Sequence, residues 1–379
     1  MNIYIDGMFF RSSGIGRCYE NLLRALDEAD DVYRICTLVP KSREADFRRS
    51  FSSRKIDARF ADFSYLGAAD FLRKGSLIRA FRPAPDIFYF PNINVPFFWE
   101  GKAITQVHDL IPLSRHSDWP WRHRFAFRVL ARRALRRSCR AVCVSEFTKG
   151  QVMSEFDIPG DRILVIPNWI DDWFLRGSPM TDRRKPFVEG DYLLYIGNRS
   201  PHKNLKTMIE AFRSLSPDFP DLKVVVAGAR MRGRDAVDDA ESDPAVAGKI
   251  VQLPQVPDDM LRNLYAFARV FVFPTFMEGF GIPPLEALSF GVPAVCSDIP
   301  AVREICGDAV RYADPFDPGA FAREIRSALT DPQANAEFRG RGVERLSLYR
   351  RESALARYMD LFRGCLEGDM GKAGAGRRR

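Results

Sequence analysis

Short runs of β-branched and aromatic residues alternate along the chain with longer stretches in which apolar positions recur every three or four residues. The runs "NIYID", "YRICTLV", "DIFYF", "AITQV", "AVCV" and "ILVI" predict strands in the first half. "YLLYIG", "KVVVAG", "IVQL", "VFVF" and "PAVC" predict them in the second. Repeated strand-then-helix order implies parallel strands joined by crossover helices, so each half is expected to form its own doubly wound α/β unit. Between the halves, residues 167–191 are polar, proline-bearing and without period, the composition of a linker. The expected division is 1–170 for the first domain, 171–190 for the linker and 191–350 for the second domain. A last helix over 351–366 and a disordered basic tail over 367–379 complete it.

At 379 residues the chain exceeds one ordinary core, and 46% hydrophobic content is enough for two. No apolar run is long enough to span a membrane, and "MNIYIDGMFF" reads as a strand rather than a signal peptide. Seven cysteines without Cys-x-x-Cys spacing predict reduced thiols in the cytoplasm, with Cys139 and Cys143 read as structural. The net charge of +8 collects in "WPWRHRFAFRVLARRALRRS" (119–138), which holds seven arginines. Wound as a helix, it sets Phe127, Leu130, Ala131 and Ala134 on one stripe and spreads Arg128, Arg132, Arg133, Arg136 and Arg137 over the rest. Such a helix either packs on the core with a solvated basic face or docks on anionic lipid as a peripheral membrane contact. Nothing in the chain reads as a nucleic-acid module.

The candidate chemistry lies at predicted strand ends. "RVFVFPT" stops at Pro274; Pro283 and Pro284 suit the first turn of a helix, and Gly291 closes it. Glu278 then falls in the loop with Gly279, and Glu286 in the helix's first turn. The amides of Phe280, Gly281 and Ile282 would be left without internal partners, an arrangement that attracts an anion. Taken alone, Glu286 reads as complementing the helix dipole and Glu278 as a solvated loop charge. In "YIGNRSPHKNLKTMIEAF" the strand ends at Gly197, a loop carries Asn198, Arg199, His202 and Lys203, and a helix starts near Asn204. Cations beside a helix amino terminus suit a diphosphate, although the Walker pattern is missing.

"SSGIGR" begins like a dinucleotide fingerprint with Gly14 and Gly16 before Arg17. Tyr19 replaces the third glycine and no acidic residue closes a second strand, so nicotinamide and flavin are disfavoured. A glycine loop open to close approach by a substrate, or a plain loop, is what remains. The four histidines show no ligand spacing, and no two aspartates stand two positions apart to clamp a divalent metal. Any phosphate must then be neutralised by protein cations. His108, before "DLIP", reads as a buried hydrogen-bonding residue or a substrate contact.

With Glu278 and Glu286 as a glutamate-x7-glutamate motif, and with "GIGR", "VHDLIP", "VSEFTK", "IPNWID" and "GNRSPHKNL" in support, the sequence resembles the retaining glycosyltransferases of family 4. The resemblance covers roughly Asn2 to Phe362 and implies the GT-B fold, two Rossmann-like domains facing across a cleft. It implies that Glu286 binds the donor's ribose hydroxyls, that Glu278 touches the transferred sugar near its anomeric carbon, and that His108 faces that sugar. Lys203 would hold the diphosphate. Gly14, Gly16 and Arg17 in one domain, and Asn198, Gly279, Phe280, Gly281 and Ile282 in the other, would contribute further substrate contacts. The family places arginine directly after the glycine; here Asn198 stands there and Arg199 one position later. Arg199 would have to substitute, or Arg17 or Arg230 contribute. The base would be read through backbone groups around Leu253 to Val256.

Implied further are a metal-free reaction without cofactor, retention by front-face attack or through a covalent intermediate, and a cytoplasmic place, peripheral on the inner membrane. The motifs are most similar to bacterial mannosyltransferases that use GDP-mannose in surface polysaccharide and lipopolysaccharide synthesis, with a glycan or lipid-linked oligosaccharide as acceptor. GDP-rhamnose, GDP-fucose and UDP-glucose enzymes, a nucleotide-sugar epimerase and a non-catalytic sugar-nucleotide scaffold share the skeleton.

Overall fold

The computed structural model describes residues 1–12, 14–170, 185–231 and 235–368. Most of the expected linker (171–184), residue 13 of "SSGIGR" and the tail from 369 lie outside the described residues. The backbone divides into two compact units. One comprises Met1–Leu113, Trp119–Asn168 and the chain from Arg351; the other comprises Ser114–Asp118 and Trp169–Arg350.

The first unit holds a parallel sheet of β1 (Asn2–Asp6), β2 (Arg34–Pro40), β3 (Ile56–Ala61), β4 (Ile87–Phe90), β5 (Ala103–Val107), β6 (Arg140–Cys143) and β7 (Ile163–Val165). They lie in the order β3-β2-β1-β4-β5-β6-β7. The second unit repeats the plan with β8 (Tyr192–Ile196), β9 (Lys223–Ala227), β10 (Ile250–Leu253), β11 (Val270–Phe273), β12 (Ala294–Ser297) and β13 (Arg311–Ala313). Its order is β10-β9-β8-β11-β12-β13. Helices cover both faces of a parallel sheet, so its inner strands are apolar on both sides, and every residue of β4 and β11 is buried.

Two strands are absent from the sequence-based expectation. β3 alternates Ile56, Ala58 and Phe60 with Asp57 and Arg59, and Arg34 of β2 pairs with Asp57 along this edge. Its charged positions hide the apolar run. β13 is three residues long and starts with an arginine.

Around the ends of β1 and β4 the first unit is braced by a buried ionic knot. Lys74, Asp6, Asp70 and Asn94 are all 0% exposed. Lys74 Nζ lies 2.8 Å from Asp6 Oδ2 and 2.7 Å from Asp70 Oδ1, and donates to the Asn94 carbonyl at 2.6 Å. Asn94 Nδ2 donates to both carboxylates, at 2.8 and 3.1 Å. The knot ties the end of β1 to two short helices, Ala68–Leu72 and Lys74–Arg79, and to the loop after β4.

The helix Arg351–Glu367 belongs to this unit. Arg351 pairs with Glu28 at its start, Tyr358 meets the Tyr89 hydroxyl at 3.1 Å, and Cys365 reaches Cys139 near its end.

The helix Trp121–Arg137 buries Ala131, Ala134 and Leu135 and packs Phe127 and Leu130 against the core. Its outward side is less polar than the arginine count suggests. Trp121, Phe125 and Val129, four positions apart, are 72%, 62% and 48% exposed. Among the described residues no helix is long and apolar enough to cross a membrane.

Candidate active site

β8 pairs directly with β11, yet their crossover helices lie on opposite sides of that junction, so the loops following the two strands open where the strand order reverses. In open parallel sheets this switch point is where ligands bind. The loop after β8 carries Asn198, Arg199 and Lys203; the loop after β11 carries Glu278, and the helix Ile282–Ser289 behind it carries Glu286. Topology therefore brings together residues some seventy-five positions apart: Lys203 Nζ sits 2.6 Å from Glu278 Oε1. Glu278 is 8% exposed and Glu286 3%.

Each side chain has an identifiable support. Lys203 ends a 3-10 turn, Pro201–Lys203, and Asn204 then adopts a left-handed conformation at φ 56°. Asn204 does not cap the helix Leu205–Leu215 with its side chain. Its Nδ2 instead donates to the carbonyls of Pro274 and Pro315, both at 2.8 Å, and its Oδ1 accepts from Thr207 at 3.0 Å. The lysine's loop is thereby braced against the loop after β11. The His202 carbonyl reinforces this by accepting from the Phe276 amide at 2.8 Å and the Thr275 hydroxyl at 3.0 Å. Burial, with the Lys203 charge beside it, pushes the His202 ring down to about 4, so it is neutral at physiological pH.

Gly281 precedes the second helix at φ +100°, a conformation that a Cβ would strain, and Pro283 and Pro284 follow in the first turn. With the helix beginning at Ile282, Glu286 is its fifth residue, one place beyond the first turn expected for it. Its carboxylate accepts from the buried Tyr265 hydroxyl at 2.8 Å. Leading amides of this helix, near Phe280 to Ile282, have no intrahelical acceptor by construction, the condition under which a helix start attracts an anion.

Arg199 sits differently from an open phosphate-binding fork. Its side chain is buried, with Nε 3.1 Å from Asp235 and one terminal nitrogen donating to Gln252 Oε1 at 2.7 Å. Asp235 also caps the helix Ala236–Ala240. Arg230 pairs with Asp238 of that helix at 3.0 Å. The Asn198 carbonyl accepts from the Tyr195 hydroxyl at 2.7 Å, and the Asn198 side chain reaches the Ser200 amide.

The remaining candidates belong to the first unit. Gly14 and Gly16 are not in a loop: they open the helix Gly14–Asp27, with Arg17 in its first turn. A Cβ on Gly16 would lie 2.2 Å from the Phe9 carbonyl oxygen, so only glycine lets the helix start pass so close to the preceding turn, whereas one on Gly14 would meet nothing. His108 follows β5, and its Nε2 lies 3.0 Å from the Pro91 carbonyl. A carbonyl only accepts, so Nε2 carries the proton and Nδ1 keeps its lone pair. Burial holds this ring down to about 4, hence neutral.

Tyr265, Asp235 and Gln252 carry no signal in the sequence, and Asn204 reads there only as the start of a helix. Tyr265 lies on the inner face of the amphipathic helix Asp258–Phe267, where a tyrosine reads as core. Among the described residues no group of three or more His, Cys, Asp or Glu side chains is placed to hold a metal ion.

Two family models match the chain: the one described as Glycosyltransferase Family 4 over residues 12–174, and the one described as Glycosyl transferases group 1 over residues 181–345. The O-antigen chain mannosyltransferase B of Escherichia coli is 29% identical over 286 residues, 73% of this chain and 74% of its own length. The O-antigen chain mannosyltransferase RfbU of Salmonella typhimurium is 25% identical over 253 residues, 64% of this chain and 69% of its own. Among solved structures, Anabaena HepE in complex with UDP-glucose superposes with a TM-score of 0.78 at 14% identity, over 96% of this chain and 100% of that one. That likeness extends to the fold.

Proposed function

The chain belongs to glycosyltransferase family 4, an enzyme family of GT-B fold, and on that premise we propose that it transfers mannose from GDP-mannose, with retention, to a glycan or lipid-linked acceptor of surface polysaccharide. The observation that carries this reading is the Lys203–Glu278 pair at the switch point of the second sheet. The mannosyltransferase names of its relatives support the choice of sugar.

Breaking a glycosyl–diphosphate bond builds positive charge on the sugar ring and negative charge on the departing oxygen. The ammonium and the carboxylate compensate one another in a partly buried site. A bound donor offers each a further partner: the diphosphate for Lys203, with the helix-start amides of Phe280, Gly281 and Ile282, and the electron-poor ring for Glu278. Glu286, oriented by Tyr265, takes the ribose hydroxyls. The neutral His108, with a lone pair on Nδ1, accepts from a hydroxyl of the transferred sugar. Since Arg199 is engaged by Asp235 and Gln252, in this reading it steadies the phosphate loop, and Arg17 or Arg230 adds the second positive charge. Gly14 and Gly16 act through their backbone, as do Asn198 and Gly279. The diphosphate is a good leaving group, so attack from the same face, with the departing phosphate taking the acceptor's proton, needs no strong general acid; in this reading protein cations neutralise the diphosphate in place of a metal.

Thermal unfolding in the presence of different nucleotides tests the donor. A ligand that binds only the folded state stabilises it by RT ln(1 + [L]/Kd), and GDP is expected to raise the melting temperature more than UDP, ADP or NAD. Preference for UDP would replace the donor while keeping the reaction; stabilisation by NAD alone would overturn the reading.

Membrane contact through residues 119–138 belongs to the same proposal, and it is supported by the outward ladder of Trp121, Phe125 and Val129. Arg132 and Arg136 continue that stripe, and the segment contains no acidic residue. An aromatic and apolar ladder running into guanidinium groups complements the interface of an anionic bilayer, where each basic residue near the surface contributes about 1 kcal/mol. The protein is expected to co-sediment with phosphatidylglycerol vesicles but not with phosphatidylcholine, and the W121S/F125S double substitution is expected to weaken this at least tenfold. Equal binding to both lipids, or none to either, would refute the contact.

A further inference from the structure

We propose that Cys139 and Cys365 form a redox-modification site, a thiol pair that a peroxide converts into a disulfide, fastening the end of the Arg351–Glu367 helix to the sheet of the first unit. The two sulfur atoms lie 3.2 Å apart although 226 positions separate them in sequence. Cys139 precedes β6, where its amide donates to the Ala103 carbonyl at 2.8 Å and its sulfur approaches the same oxygen at 3.1 Å, so its position is fixed by the sheet. Cys365 is buried in the last turns of the helix, whose end is held by Lys102 Nζ donating to the Leu366 carbonyl at 2.7 Å. To form a bond of about 2.05 Å the sulfurs must close by only about 1 Å, a displacement within reach of side-chain rotation.

The two thiols also differ in the way a redox pair requires. Cys139 is partly exposed and Arg140 is its chain neighbour; its contact with the Cys365 sulfur, ahead of the opposing effect of burial, favours its thiolate. Cys365 is held in the protonated form by the same contact. By contrast, burial pushes Cys18 and Cys143 up to about 12 and Cys36 up to about 11, which disfavours their thiolates. Cys139 therefore has a chemistry beyond the structural role its sequence suggests.

Atom by atom, the Cys139 thiolate attacks one oxygen of hydrogen peroxide, the O–O bond breaks, hydroxide departs and Cys139 becomes a sulfenic acid. Cys365 then gives up its proton, its sulfur attacks the Cys139 sulfur, and the S–O bond breaks to release the second oxygen as water. Overall, two thiols and one peroxide yield one disulfide and two waters, and a dithiol reverses the change. The bond closes a very long loop, so it restricts the unfolded chain strongly.

The test uses the whole protein, treated with hydrogen peroxide, alkylated and digested without reductant for mass mapping. A linked peptide pair containing Cys139 and Cys365 is expected, with two of the seven thiols lost and both regained on adding dithiothreitol. The melting temperature of the wild type is expected to rise on oxidation, and that of C365S to stay where it was. Recovery of both residues alkylated, at peroxide doses that oxidise other thiols, would overturn the proposal, and so would oxidation of Cys139 to the sulfinate without a linked partner. The mapping is done on the wild type, so it does not depend on any variant folding.

Discussion

Replacing Glu278 by glutamine is expected to lower the turnover of mannosyl transfer by about 10²–10³-fold while leaving the protein folded. The magnitude follows from removing one preorganised charge from a water-poor site, which costs about 3–4 kcal/mol of transition-state stabilisation in comparable cases. Glutamine is chosen because it keeps the volume and still offers Lys203 an oxygen at the position of Glu278 Oε1, now 2.6 Å from the ammonium. Truncation to alanine would also leave the half-buried Lys203 ammonium without its partner, mixing chemistry with stability. Turnover should fall far more than the donor KM rises, since the lost interaction strengthens as the ring becomes cation-like. Glu286→Gln should show the opposite split, chiefly a raised donor KM, because ribose contacts are equal in ground and transition states. Steady-state kinetics with a soluble acceptor, alongside circular dichroism of each variant, read both. Undiminished turnover in E278Q would remove Glu278 from the reaction.

The legibility of this site in sequence has a physical limit. Glu278, Lys203 and Gly281 announce themselves because each sits at the end of an apolar run beside glycine or proline, where helix and strand periods break off. Strand order decides which loops become neighbours, and before that order is seen the two loops seventy-odd residues apart are joined only by the resemblance to family 4. The orientation of a guanidinium carries no such signal. Arg199 reads as a phosphate ligand by its place, but its environment is decided by Asp235, at the start of the helix Ala236–Ala240, and by Gln252 of β10. Tyr265 was hidden for the complementary reason: a tyrosine on a buried helix face looks apolar until its hydroxyl is seen against Glu286. Likewise Gly14 and Gly16 suggest a loop by composition, while the close passage of the helix over Phe9 explains the second glycine without any ligand. β3 and β13 were missed through charged or short edges, which obey solvent exposure more than periodicity.

Lys74→Met is expected to cost the first unit about 3–5 kcal/mol, the usual consequence of deleting one member of a buried ionic group. Methionine nearly matches lysine in length, so the loss is electrostatic: Asp6 and Asp70 would be left fully buried with Asn94, Tyr4 and the Leu66 amide as remaining donors. None of these carries a charge. Already in the intact protein, burial raises the Asp6 carboxyl above its ordinary range, with Lys74 opposing the shift. Without the ammonium the rise must grow, and the variant folds by taking up protons. A carboxyl whose folded pKa exceeds its unfolded value near 3.9 stabilises fully only below that value and loses its contribution as pH rises through the folded pKa. The deficit of K74M relative to wild type should therefore be smaller at pH 5 than at pH 8, measured by urea unfolding of both proteins. Adding Asp70→Asn to K74M removes one of the stranded charges and should restore part of the loss at pH 8. A deficit independent of pH would show that the knot is held by packing, with its charges contributing little.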